Sequence, residues 1–240
     1  MAAIYLIRHG QASWGKANYD ELSELGVQQA VVLGQALRQR IGQPDHVICG
    51  AMRRHQQTAL HTLTAMGLSP EWQEDHRWNE YDHIQLLDSQ MKLLVSQNSS
   101  STGTPPNETP ATSAMPPMES SDARRQFQEL FDRALLRWIS GQHDGQYAES
   151  WPDFNKRVDA ALQTALERRC ETVVFTSGGT ISVIARLLWQ IPDTSWPQVN
   201  RVIANASITK LVIGRSGLHL STFNDHSPFE GSSRHLLTYR

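Results

Sequence analysis

Cysteine, long apolar runs and an excess of either charge are all scarce in this sequence, and each shortage closes off a class of protein. The 240 residues include only two cysteines, Cys49 and Cys170, each bordering an apolar run. Two thiols without a secretion signal do not make a disulfide framework, so both are expected as ordinary buried or half-buried thiols. No stretch approaches the roughly 20 apolar residues that a bilayer span requires. The amino terminus, MAAIYLIRHG, has no basic segment before its apolar run and gains charge at once, so it reads as a first strand and not a signal peptide. Lysine and arginine number 22 against 24 aspartates and glutamates. That balance leaves no general basic face to neutralise nucleic-acid phosphates. The expectation is a cytoplasmic protein with neither a membrane nor a nucleic-acid partner.

The patterns that are present suit one α/β domain over residues 1–240. Residues 2–7, AAIYLI, are apolar throughout, as a strand covered on both faces is. A helix follows, capped by Ser23, with Ala30, Leu33, Leu37 and Ile41 at helical spacing and Pro44 ending it. DHVICG supplies a second strand, and Ala59, Leu63 and Met66 mark a second helix. Strand alternating with helix predicts a mainly parallel sheet with right-handed crossovers. Later come an amphipathic helix through Phe127–Trp138, a helix from about Phe154 to Glu167, the strand TVVFT, a glycine turn at Ser177-Gly178-Gly179 and the helix TISVIARLLW. The strands SITKLVI and LHLSTF close the chain as a hairpin about Arg215-Ser216-Gly217.

Residues 81–150 interrupt this alternation and read as a cap inserted into the α/β core. Within them, residues 96–122 hold 16 Ser, Thr or Pro and no Lys or Arg, a composition predicted to form a mobile surface segment. The sequons at Asn98 and Asn107 lie in it and are chance matches in a cytoplasmic protein.

Three clusters carry chemistry. Arg8-His9-Gly10 ends the first strand, and open α/β sheets bind ligands at the carboxyl ends of strands. Arginine is a rigid donor fork for phosphate, histidine a nucleophile, and glycine permits close backbone approach. Arg53-Arg54-His55-Gln56-Gln57-Thr58-Ala59 follows the second strand and opens a helix, whose N-terminus adds positive potential, although arginines at a helix start also occur as solvated residues. Glu80, in Trp78-Asn79-Glu80-Tyr81-Asp82-His83, is a candidate general acid among aromatics. His76 and His83 near it fit no standard metal-ligand spacing, so no metal site is expected. Ser177 and Gly178 are candidate phosphate holders at a helix start.

With LSELGVQQA added, LIRHGQAS, RRHQQTA and WNEYD resemble the histidine phosphatase superfamily, the phosphoglycerate mutase-like enzymes, in order along essentially the whole chain outside the Ser/Pro-rich segment. The resemblance implies a three-layer α/β sandwich with helices on both faces of the sheet. It implies that His9 attacks a phosphoryl group and that the phosphohistidine is then hydrolysed. Arg8 and Arg54 would bind the phosphoryl oxygens, Arg54 being placed like the arginine of the RAxQTA motif, and Glu80 would protonate the leaving oxygen. With arginines supplying charge, neither metal nor cofactor is required. The substrate would be a phosphorylated small molecule or a phosphoprotein.

The chain departs from the family pattern in two places. A second histidine usually follows the late strand, in Ser-His-Gly-Gly, and here Ser177 stands in its place. Gly15 stands where asparagine is frequent, with Asn18 nearby. Serine donates a hydrogen bond without positive charge, while the Gly178 and Gly179 amides would stay available to an anion. His226 and His83 are candidates to supply the absent imidazole. A working phosphomonoesterase is therefore expected, with a non-catalytic phosphoester binder as the alternative and a phosphate-moving mutase behind both.

Overall fold

A computed structural model of the protein describes residues 2–13, 20–101 and 121–239. In chain order the elements are β1 (Ala2–Arg8), α1 (Glu24–Arg40), β2 (His46–Cys49), α2 (Arg53–Met66), β3 (Gln73–Glu74), α3 (His83–Ser101) and α4 (Ser121–Ile139). They continue with α5 (Trp151–Glu167), β4 (Thr172–Thr176), α6 (Gly178–Trp189), α7 (Trp196–Arg201), β5 (Ile208–Gly214) and β6 (Gly217–Asp225). The chain divides into two compact units, one of residues Met1–Glu80 with Asn155–Arg240 and one of Tyr81–Phe154.

The first unit is built on a six-stranded sheet in the order β3-β2-β4-β1-β5-β6. The first four of these strands run parallel, and β1-β5 and β5-β6 pair antiparallel. Strand side chains alternate between faces, and β1 is apolar on both. Ala3, Tyr5 and Ile7 join Leu33 and Leu37 of α1 and Ala59, Leu63 and Met66 of α2 in one buried cluster. Ile4 and Leu6, turned the other way, are fully buried, as are Val158 of α5 and Ile181 and Ile184 of α6. The fold is thus α/β with helices on both faces of a mainly parallel sheet. Cys49 is buried and Cys170 half-buried, both as free thiols, and burial, with Glu74 nearby, pushes the Cys49 thiol up.

Local signals act as the residues predict, with three corrections. Ser23 caps α1 by accepting from the Gly26 amide at 3.1 Å. That helix ends at Arg40, before Pro44, because Gly42 takes a left-handed φ of 64° that stops it. Gly178 and Gly179 form no turn; they are the first residues of α6 itself. The third correction concerns the Ser/Thr/Pro-rich segment, for α3 runs on to Ser101 and α4 starts at Ser121. Residues 96–101 and 121–122 are therefore helical, since extending an existing helix adds a hydrogen bond for each residue it orders. Residues 102–120 lie outside the described residues, as do Gly15 and Asn18.

The second unit holds α3, α4 and the first turn of α5 around an aromatic core. Tyr81, Trp138, Trp151 and Phe154 are buried, with Trp138 5.2 Å from Tyr81 and 5.1 Å from Trp151 between ring centroids. The Trp138 indole N–H donates to the Glu149 carbonyl at 2.9 Å. Among the described residues no helix is long and apolar enough to cross a membrane.

Candidate active site

Strands β1, β2 and β4 end together, and the histidine and arginine motifs lie at those carboxyl ends. Arg8 pairs with Thr176 in the β1-β4 register, and the His9 amide continues the ladder onto the Thr176 carbonyl at 2.9 Å. Gly50, one residue past β2, donates to the Phe175 carbonyl at 3.0 Å. His9, the start of α2 and Ser177 thereby meet at one edge of the sheet.

His9 is buried, 6% exposed. Its Nδ1 lies 2.7 Å from the Gly10 carbonyl oxygen. A carbonyl only accepts, so Nδ1 carries the proton and Nε2 keeps its lone pair. Burial, then the charges of Arg54 and Arg8 and the nearby His55, hold its pKa well below the usual histidine value. The ring is therefore neutral near pH 7, the state a nitrogen nucleophile needs.

The backbone around it is locked by polar residues of the motifs quoted above. The Gly10 amide donates to Thr58 Oγ1 at 3.0 Å, and that hydroxyl donates to the Arg54 carbonyl at 2.7 Å. Gln57 accepts from the Leu22 amide at 2.7 Å. Gln29, fully buried, accepts from the Gln11 amide and donates to the Leu236 carbonyl. A methyl on Gly10 would stand 2.5 Å from the Gly26 carbonyl oxygen, which is why glycine is required where β1 passes the start of α1.

The two arginines are placed differently. The Arg54 side chain is 4% exposed and pairs with Asp20, Nη1 to Oδ1 at 2.8 Å. The second Asp20 oxygen accepts the Arg53 amide at 2.8 Å. One carboxylate thus serves both the guanidinium and the N-terminus of α2, where Met52 has no side chain to cap with. The Arg8 Nη1 donates to the Ile203 carbonyl and, at 3.4 Å, to that of Tyr239. Its Nε lies beside Gly178, where a methyl would come within 3.4 Å of it. Arg53, 59% exposed, pairs with Glu21 and stays outside the site.

Glu80 reaches the same strand ends through the segment before it. Thr176 Oγ1 donates to the Trp78 carbonyl at 2.6 Å, and Asn79 Oδ1 accepts the Ala51 amide at 2.8 Å. Glu80 Oε2 accepts the Gly179 amide at 3.1 Å. The Gly179 amide, expected to await an anion, is thus engaged by the Glu80 carboxyl group.

Sequence reasoning missed His55. His226 is engaged elsewhere, its Nδ1 2.9 Å from the Asn224 carbonyl oxygen. The imidazole at Ser177 belongs to His55, whose Nε2 lies 2.6 Å from the serine hydroxyl. The His55 ring is fully buried, and its centroid is 5.7 Å from that of His9. Burial, then Arg54, holds it neutral as well. The signal was in the sequence, since His55 follows Arg54 where the RAxQTA motif has alanine. It goes unseen until α2 is packed against the end of β4.

Comparison with known proteins gives the family and the fold. The model of the histidine phosphatase superfamily (branch 1) matches residues 4–109 and 111–226. A 2,3-bisphosphoglycerate-dependent phosphoglycerate mutase of Chelativorans sp. (strain BNC1) is 33% identical over 87 residues, which is 33% of this chain and 42% of that protein. The chain thus aligns with under half the length of that curated relative. Among solved structures, mycobacterial glucosyl-3-phosphoglycerate phosphatase superposes with a TM-score of 0.58 at 22% identity, over 93% of this chain and 99% of the other. A phosphoserine phosphatase mutant from Entamoeba histolytica, complexed with phosphoserine, gives 0.60 at 20% identity, over 99% and 100%. The histidine-bearing strand end, the arginine helix beside it and a family match spanning nearly the whole chain coincide, and the chain belongs to the histidine phosphatase superfamily.

Proposed function

We propose that the chain is a phosphatase that hydrolyses a phosphomonoester through a phosphohistidine on His9, with arginine rather than metal charge on the phosphoryl oxygens. The observation that carries this reading is the state of His9. It is buried and neutral at a strand end, with its Nδ1 proton committed to Gly10 and the Nε2 lone pair left to react. In-line attack by Nε2 forms the N–P bond and breaks the bond to the leaving oxygen, which takes a proton from the Glu80 carboxylic acid. Water then attacks the phosphohistidine, Glu80 recovers the proton, the N–P bond breaks and inorganic phosphate departs. Arg54 and Arg8 stabilise the charge spread over the equatorial oxygens. The Glu80 contact with the Gly179 amide orients its carboxyl group. The substrate is a phosphorylated small molecule or a phosphoprotein.

The test is phosphate release from an aryl and an alkyl phosphate by wild type, His9→Ala and Glu80→Gln. Wild type is expected to turn over and His9→Ala to fall to background while still binding inorganic phosphate. Glu80→Gln should lower kcat about 10²–10⁴-fold on the alkyl ester, and less on the aryl ester, whose leaving oxygen needs little protonation. Wild type that binds phosphate yet never exceeds the His9→Ala rate would make the chain a phosphoester binder instead. Transfer to a hydroxy acid in place of release would make it a mutase.

A further inference from the structure

Ser177 occupies the N-cap position of α6 with the extended backbone of a capping residue, φ −116° and ψ 167°, yet its hydroxyl does not cap the helix. A serine there ordinarily accepts an amide of the first turn. The Gly179 amide, in reach of such a cap, is served by Glu80 at 3.1 Å. Relieved of that task, the Ser177 hydroxyl turns to His55 Nε2 at 2.6 Å. Both residues are fully buried, so the contact belongs to the interior of the site.

The His55 ring is held by space as much as by bonding. A methyl on Gly50 would come 2.3 Å from His55 Nδ1, so the imidazole lies directly against the Gly50 backbone. Among the described residues, Nδ1 has no hydrogen-bond partner. Were the proton on Nδ1, a buried N–H donor would be stranded, the costlier of the two ways to leave that atom. The lower-cost tautomer carries the proton on Nε2, which then donates to Ser177 Oγ. A hydroxyl that accepts from one side has its own proton free to turn elsewhere. The neighbouring strand end presents His9, whose ring is 5.7 Å from that of His55.

We propose that His55 is a positioning residue for phosphoryl transfer: its Nε2–H fixes the Ser177 hydroxyl so that this hydroxyl donates to an oxygen of the phosphoryl group on His9. The imidazole that the family usually carries at the end of β4 is thereby supplied from α2, one shell further out, acting through a serine. The proposal rests on the phosphatase reading above. It also predicts that Ser177→His alone is harmful, because the new ring would enter space that His55 already fills.

The test compares His55→Leu, which keeps bulk and loses the donor, with His55→Gln, whose amide nitrogen can reach the Nε2 position. His55→Leu is expected to lower kcat on an aryl phosphate about 10–100-fold, somewhat below the roughly 10²–10³ that losing a directly donating group costs, with KM little changed. His55→Gln should recover most of that loss, Ser177→Ala should match His55→Leu, and the double variant should be no slower than either. His55→Ala combined with Ser177→His should exceed His55→Ala by about tenfold. Thermal unfolding of each variant separates folding defects from lost catalysis. Losses that multiply in the double variant, or His55→Leu as fast as wild type, or Gln no better than Leu, would overturn the proposal. If wild type itself releases no phosphate, the phosphatase reading fails alone. Orthovanadate affinity then decides the proposal: weakening in His55→Leu and Ser177→Ala but not in His55→Gln supports it, and equal affinity in all overturns it.

Discussion

The ends of β1 and β4 lie side by side, yet they furnish the site in opposite ways. Past β1, His9 contributes its own imidazole, held by the carbonyl of the next residue. Past β4, Ser177 presents a hydroxyl that meets an imidazole from another element, His55 of α2, at 2.6 Å. The glycines that make room differ in the same sense. Gly10 admits a neighbouring backbone, the Gly26 carbonyl, whereas Gly50 admits a side chain, that of His55. At a junction of strand ends, a chemical group is specified by where it arrives, and several chain positions can deliver it.

That contrast can be broken most sharply at the glycines. Gly10→Ala presses against backbone that cannot swing aside, and should cost about 3 kcal/mol. At about 2–4 °C per kcal/mol for a chain of this size, thermal unfolding should show a drop of roughly 6–12 °C. Gly50→Ala meets a buried side chain instead of backbone, so displacing the ring relieves part of the clash and it should cost less, about 2 kcal/mol. Its turnover should nevertheless fall with that of His55→Leu, because the displaced imidazole no longer meets Ser177. Equal thermal losses for the two alanines would erase the distinction between backbone and side-chain neighbours.

Acid addresses both imidazoles at once. Folding lowers the pKa of His9 and of His55 below the unfolded value of about 6.5. Between the folded and unfolded values the unfolded chain binds more protons, so their contribution is complete above about pH 6.5 and is lost as pH falls below it. The urea midpoint should therefore decline from pH 7.5 to 5.5, and decline less in His55→Gln. A flat profile would mean that neither ring is held neutral by burial.

The smallest effect is expected at Asp20. Asp20→Asn keeps an acceptor for the Arg53 amide but removes the charge that holds Arg54. Inorganic phosphate should then bind about 2–5-fold tighter by titration calorimetry, in keeping with the modest strength of a partly exposed ion pair. Unchanged affinity would show that Asp20 does not compete with a phosphate for that guanidinium.

Much of the fold was legible because its signals are local. Ser23 caps α1, the apolar run of β1 is buried on both faces, and the Ala59, Leu63 and Met66 spacing marks the inner side of α2. Boundaries resting on a single residue were less secure, as where Gly42 and not Pro44 ended α1. Composition misread the edges of the Ser/Thr/Pro-rich segment, since helices already nucleated on either side extend into it. At the site, His9 was readable from its place at a strand end. The engaged Gly179 amide and the Arg54–Asp20 pair were not, because their partners lie 99 and 34 positions away.

The sequence by itself determined the alternation of strand and helix, the family, and which residue types stand at the strand ends. Each follows from periodicity or from motifs a few residues long. Only the tertiary structure decided how those residues divide the work. Ser177 looked like the loss of an imidazole, but 122 positions separate it from the ring that reaches its hydroxyl. Sheet order and the packing of α2 close that separation, and neither is written in the residues around TSGG.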